Sequence, residues 1–291
     1  MKRYVSFLIL FLVSAGLSSC LKDTAVLDPS GSKNVVEFYN VTAPASGVTA
    51  PYVMYVPMTL EVVPEVEFEI AVSYSGAELS APQDITVNLA PAPDAITAYN
   101  TSQGAALVQM GATGYEIPSS LVIKKGEKRA YGKVKVRPTL LNQSVSNALA
   151  LSISSASHGQ VSGNFGTVIF SLPIKSIWEG TYTYTMTNNF AGIDAALGTR
   201  TRTGVKLTTV GPNKVTTPTS GGLLWSYYGG YSQYQFNGDN TNIIGLTIYS
   251  GAVLASNIEE VLLVDPVNRI FEIKYVGLSR GIIDRFVRTG D

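Results

Sequence analysis

Val66, Phe68, Ile70, Val72 and Tyr74 alternate with Glu67, Glu69, Ala71 and Ser73, so one face of this stretch is apolar and the other mainly polar. A period of two is the signature of a half-buried β-strand. The segment DITVNLAP repeats the pattern briefly, and Val35 to Val41, LVIKKG, AYGKVKVRP, Leu149 to Ser155 and Thr167 to Phe170 extend it. After Trp178 come TYTYTMTNN, LLWSYYGG, YSQYQF, IIGLTIYS, EEVLLVDP, RIFEIKYVG and GIIDRFVR, short apolar runs separated by Gly, Asn or Asp turns. Asp265-Pro266-Val267-Asn268 suits a tight antiparallel hairpin. A single helix is predicted, over about residues 94 to 105, where Pro93 and Asp94 can open it. No strand–helix–strand spacing recurs. The pattern therefore predicts an all-β chain: an Ig-like sandwich carrying one short helix, then an antiparallel barrel-like domain.

The first residues break this pattern. Lys2 and Arg3 precede an apolar run from Tyr4 to Leu17, about 14 residues against the roughly 20 a bilayer core needs. Leu17-Ser18-Ser19-Cys20 resembles a bacterial lipobox, at which the leader is removed and the new N-terminal cysteine is lipidated. Cys20 is the only cysteine, so neither domain can lean on a disulfide. The expected organisation is a signal peptide over 1–20, a tether over 21–33 containing Pro29 and Gly31, an Ig-like domain over 34–173, and a barrel-like domain over 174–291. Pro173 marks the boundary because proline is excluded from central strands. The expected location is the outer membrane, lipid-anchored, on the cell surface or the periplasmic face.

Charge narrows the choice of partner. The chain has 21 basic and 21 acidic side chains, and loss of Lys2 and Arg3 with the leader leaves nineteen basic ones. Nucleic acid needs clustered Lys and Arg, and the densest basic stretch here alternates, with Lys133, Lys135 and Arg137 on one solvated strand face. His158 is the sole histidine, so a two-histidine metal site cannot form within one chain. Asn237, Asp239 and Asn240 offer oxygen ligands for calcium with a single carboxylate, which an Asx turn explains better. No metal or other cofactor is expected.

Glycoside hydrolysis needs two carboxylates across a cleft. Glu259 and Glu260 are adjacent and should point to opposite faces of a strand, and Asp239 is first a turn former. No Gly-x-Ser-x-Gly elbow accompanies His158. The chain is expected not to be an enzyme.

Tyr115-Glu116-Ile117-Pro118, the Ser119-to-Glu127 segment SSLVIKKGE and the basic strand that follows resemble domain-of-unknown-function family 1735, found in lipoproteins of Bacteroidetes. Trp178-Glu179-Gly180-Thr181-Tyr182 is similar to the Trp-x-Gly-x-Tyr opening of the second module that often follows in such proteins. The resemblance covers residues 34 to 291 and implies a calycin-like or related C-terminal β-module. It also implies a setting beside glycan-uptake systems of the outer membrane. Relatives carrying a glycoside hydrolase barrel differ, since the residues after Ile177 are too few for a (β/α)8 barrel of about 250.

One stretch has the chemistry of a sugar platform. In WSYYGGYSQYQF, Trp225, Tyr227, Tyr228 and Tyr231 offer ring faces, and Gln233 and nearby Asn237 offer amides to hydroxyl edges. Consecutive strand side chains diverge, so Tyr227 and Tyr228 cannot both face a core. The same aromatics are also ordinary barrel filling. Two functional classes follow: a non-enzymatic lipoprotein binding polysaccharide or oligosaccharide beside outer-membrane import proteins, or an adaptor whose β-domains bind other proteins.

Overall fold

The computed structural model describes residues 33–39, 43–47, 49–188, 198–218, 230–249, 253–254, 256–277 and 280–291. Cys20 and the tether lie outside the described residues. The first part of the chain supplies β1 (Val35–Tyr39), β2 (Val53–Tyr55), β3 (Val66–Ser75) and β4 (Ile85–Pro91), then helix α1 (Pro93–Gln103). Next come β5 (Leu107–Gln109), β6 (Tyr115–Glu116), β7 (Ser120–Ile123) and β8 (Arg129–Val136). β9 (Ser146–Ala156), β10 (Gln160–Val161) and β11 (Thr167–Ser171) complete this part.

These strands form two sheets, ordered β10-β1-β3-β8-β6 and β2-β11-β9-β4-β7, with β5 added to β9. Their facing sides supply one aliphatic-rich core. Val36, Ile70, Val72, Val134 and Val136 from the first sheet meet Val87, Ile123, Leu149, Leu151 and Val168 from the second. β9 is apolar on both faces for a stated reason: Leu149 and Leu151 enter this core, while Ala148 and Ala150 pack outward with Ile169 against Ala95, Ile96 and Tyr99 of α1. The helix starts with Pro93 in its first turn and ends at Gly104, whose φ of 62° is the left-handed cap conformation that favours glycine.

After Trp178 the chain builds a second unit. Its strands are β12 (Gly180–Asn188), β13 (Thr199–Gly211), β14 (Lys214–Thr216), β15 (Tyr231–Phe236) and β16 (Ile243–Tyr249). They continue as β17 (Val253–Leu254), β18 (Ser256–Asp265), β19 (Ile270–Gly277) and β20 (Arg280–Gly290). All pair antiparallel in the order β17-β16-β15-β14-β13-β12-β20-β19-β18, and β16 lies against β18, so the sheet curls into a nearly closed barrel. The all-β expectation, with its Ig-like sandwich, short helix and barrel, describes this architecture.

Aromatic side chains fill the barrel. Trp178 is fully buried and stacks on Phe236, with ring centroids 4.5 Å apart, while Phe271 meets it edge-on at 5.5 Å. Phe271 stacks in turn on Phe286 at 4.6 Å. Asp265 organises the β18–β19 hairpin by accepting hydrogen bonds from the backbone N–H groups of Val267 and Asn268, both at 3.0 Å. The basic face of β8 is matched to acids, with Lys133 2.8 Å from Glu67 and Arg137 3.1 Å from Glu116.

One expectation needs correcting. Strict alternation sends Glu259 and Glu260 to opposite faces, but the β18–β19 register shifts between Ile258 and Glu260. Both carboxylates are exposed beside Lys274, which Glu259 approaches to 2.9 Å.

Candidate functional site

The passage from sandwich to barrel is tied down on both sides. Leu60 donates its N–H to the Pro173 carbonyl at 2.7 Å and accepts from the Lys175 N–H at 2.8 Å, so the linker adds a strand-like rung to the sandwich. Ser176 then donates its N–H to the Thr209 hydroxyl at 2.9 Å, and Thr209 donates its own N–H to Glu179 at 2.8 Å. A second tie joins the units where Asn213 reaches the Ser144 hydroxyl at 3.3 Å. Asn213 adopts φ 49°, a left-handed conformation that asparagine tolerates.

Between these ties lies a cleft of about 560 Å³. Its walls combine hydroxyl and amide groups from Thr59, Gln143, Ser146 and Thr209 with apolar surface from Val145 and Pro212. Such a mixture, in a hollow within the roughly 300–1,000 Å³ usual for small-ligand sites, can hold a molecule with both hydroxyl edges and C–H faces.

Lys175 is the electrostatic centre of this cleft. It lies 2.9 Å from Glu61 and 3.6 Å from Glu179. The hydrogen bond to Glu61 raises its pKa, with both carboxylates adding to the effect. Burial pushes Glu179 upward, but the Thr209 hydroxyl and N–H, together with Lys175, outweigh it and hold the group below the ordinary carboxylate range.

A second hollow, of about 480 Å³, shares Glu61, Lys175 and Glu179 with the first and extends past Arg269, Arg288 and Asp291. Arg288 is committed there. It donates from Nε to the Gly290 carbonyl at 3.2 Å, from Nη1 to the Ile177 carbonyl at 3.3 Å, and from Nη2 to the Asp291 carboxylate.

Inside the barrel sits a different cluster. Asp284 is 1% exposed, and three tyrosine hydroxyls donate to it: Tyr184 to Oδ1 at 2.6 Å, and Tyr234 and Tyr275 to Oδ2 at 2.7 and 2.8 Å. Burial raises the carboxyl pKa against the opposing pull of the three hydroxyls. Burial likewise pushes Tyr184 and Tyr234 well above the ordinary tyrosine value. Aromatic rings and Ile282 enclose this group, which gives it a structural setting rather than a substrate-facing one. Sequence reasoning missed it, although Asp284 stands in the inward series Ile282, Asp284, Phe286, where an acid is out of place.

The aromatic platform expected on 225–237 is only partly visible. Trp225, Tyr227 and Tyr228 lie outside the described residues. Tyr231 and Gln233 share the outer face of β15, half-buried, where Tyr231 stacks on Tyr249 at 4.4 Å. Asn237 belongs to the turn beyond the other end of the strand, and its side-chain oxygen accepts from the N–H groups of Thr241 and Asn242, both at 2.9 Å. Ser232, Tyr234 and Phe236 take the inward positions of β15, so Gln233 stands on its outer face while Asn237 is engaged in the turn after the strand. Asp239 spends its carboxylate on the Thr241 hydroxyl at 2.6 Å, as a turn residue does. Among the described residues no group of three or more His, Cys, Asp or Glu could hold a metal, and no helix is long and apolar enough to cross a membrane.

Comparison with known proteins bears on the sandwich first. A family model for an N-terminal domain matches residues 42–160. The matched stretch lies within the sandwich. The match agrees with the resemblance to domain-of-unknown-function family 1735 that Tyr115–Pro118 and the strands after it carry. No curated protein matches the chain. Among solved structures, a multidomain protein including DUF1735 from Bacteroides ovatus is 15% identical, with 87% of this chain and 92% of that chain covered and a TM-score of 0.43. An auxiliary nutrient binding protein from Bacteroides thetaiotaomicron is 16% identical, covering 77% and 82%, with a TM-score of 0.38. A putative carbohydrate binding protein from Bacteroides ovatus is 12% identical, covering 76% and 78%, with a TM-score of 0.36.

Proposed function

We propose that this chain is a non-enzymatic, lipid-anchored protein of the outer membrane that binds glycan in the cleft between sandwich and barrel, beside a polysaccharide-uptake system. The observation that carries this reading is the lining of the cleft, which combines the polar groups of Thr59, Gln143 and Ser146 with the apolar surface of Val145 and Pro212. Sugars present the complementary mixture. A glycosidase acid needs a raised pKa near its substrate. Here Glu61 and Glu179 share Lys175, Glu179 is held low, and Asp284, whose pKa burial raises overall, is enclosed by the barrel core.

Isothermal titration of the soluble chain against a polysaccharide panel tests the reading. Gln143→Ala should weaken the best ligand roughly five- to tenfold, the scale of one net hydrogen bond of about 1 kcal/mol. Trp225→Ala run in parallel distinguishes the aromatic segment. Loss of binding there, with Gln143→Ala unaffected, moves the site to residues 225–237. Absence of binding to every glycan would favour the protein adaptor.

Anchoring rests on the Leu17-Ser18-Ser19-Cys20 pattern. Cys20→Ala should transfer the protein from the membrane fraction to the soluble one, and retention at the unmutated level would remove the anchor from the proposal.

A further inference from the structure

We propose that the glycan is acidic, and that Arg269 pairs with its carboxylate or sulfate in the hollow that continues the cleft. The inference rests on the glycan-binding reading above and adds the ligand's charge and its orientation. Three cations line this hollow, Lys175, Arg269 and Arg288. Lys175 is held between Glu61 and Glu179, and Arg288 between two carbonyls and Asp291.

Arg269 differs from both. Its Nε is out of contact with solvent and has no hydrogen-bond partner among the described residues. The nearest acid along its turn, Asp265, already serves the N–H groups of Val267 and Asn268 and the Asn268 amide. A buried N–H lacking an acceptor is costly, and the half-buried Arg269 side chain lines the hollow, where an anionic ligand oxygen can pair with its guanidinium.

Chain geometry presents the side chain there. Arg269 adopts φ 56°, and its carbonyl is fixed by the Arg288 N–H at 3.2 Å. Both arginines line this hollow, and their charges partly offset the burial that raises the pKa of Tyr182, whose hydroxyl donates to the Trp178 carbonyl at 2.9 Å. Polarity across the joined hollows gives the direction. Glu61 and Glu179, two acids around one lysine, accept hydroxyl protons at the cleft end, and the ligand's anion lies at the Arg269 end.

Three probes test this with the soluble chain: polygalacturonate for carboxylate, dextran sulfate for sulfate, and dextran for neutral sugar. At least one acidic polymer should bind tenfold or more tightly than dextran. Arg269→Met should abolish that preference, and Arg269→Lys should restore part of it. Neither variant should lower the thermal midpoint of the unmutated chain. General attraction of polyanions is disfavoured, since the chain has no net charge.

Equal binding of dextran and the acidic polymers, or an acidic preference that survives Arg269→Met, would overturn the inference and leave glycan binding standing. Failure of both acidic polymers while a neutral glycan of the wider panel binds would do the same. Failure of every glycan would overturn the functional reading with it.

Discussion

The sandwich and the barrel solve the same problem with different materials. The sandwich core is mainly aliphatic, with Val, Ile and Leu from two sheets meeting through shape alone. The barrel core is built on Trp178, Tyr182, Tyr184, Tyr234, Phe236, Phe271, Tyr275 and Phe286. Large rings fill a tapering interior efficiently, but tyrosines bring hydroxyls that must find acceptors once buried. Tyr182 uses the Trp178 carbonyl, and the other three buried hydroxyls converge on Asp284. One core is therefore specified by volume. The other depends in addition on a single polar centre.

Substitutions that keep the branching of the side chain should separate the two most sharply. Asp284→Leu keeps the heavy-atom skeleton, with bulkier methyls in place of the oxygens, and leaves three buried hydroxyls without an acceptor, each costing about 1–3 kcal/mol, so the barrel should lose at least ~3 kcal/mol. Leu149→Met in the sandwich should cost less than about 1.5 kcal/mol. Urea unfolding of each variant provides the check. Equal losses would mean that the barrel, too, is held by shape alone.

A smaller effect is expected from pH. An unfolded aspartate titrates near 3.8, and burial in the barrel places Asp284 above that value. Well below 3.8 both states hold the proton, and the contribution to stability is fully present. As pH rises, the unfolded chain releases its proton first, so stability falls until the folded carboxyl has also ionised. Asp284→Asn removes this dependence. The stability of the variant relative to the unmutated chain should therefore improve as pH rises through that interval, as read from thermal midpoints. A difference independent of pH would show that the carboxyl is not shifted.

Most of the architecture was legible because period-two patterning reports which face of a strand is buried. Val66 to Tyr74 became β3, and the helix expected over 94 to 105 formed as Pro93–Gln103. Two kinds of information were not legible. Bulges break alternation without a sequence mark of their own, which is why Glu259 and Glu260 share Lys274. Groups that meet across the barrel are far apart in the chain, so Tyr184 and Asp284 could be read only as an inward tyrosine and an acid on an apolar face. The cleft is assembled the same way, from Gln143, Lys175 and Thr209 on separate elements. Local pattern reveals faces, whereas sites depend on which faces meet.

The rung that Leu60 forms with the linker has a kinetic meaning. With Pro173 and Lys175 hydrogen-bonded to Leu60, and Ser176 and Glu179 to Thr209, the passage between the units has little freedom to act as a hinge. A ligand entering the cleft then meets walls already in position and need not spend binding energy on closing them. The same rigidity leaves no jaw to trap what has entered. If the cleft binds glycan as proposed, capture and escape should both be quick and the residence time short.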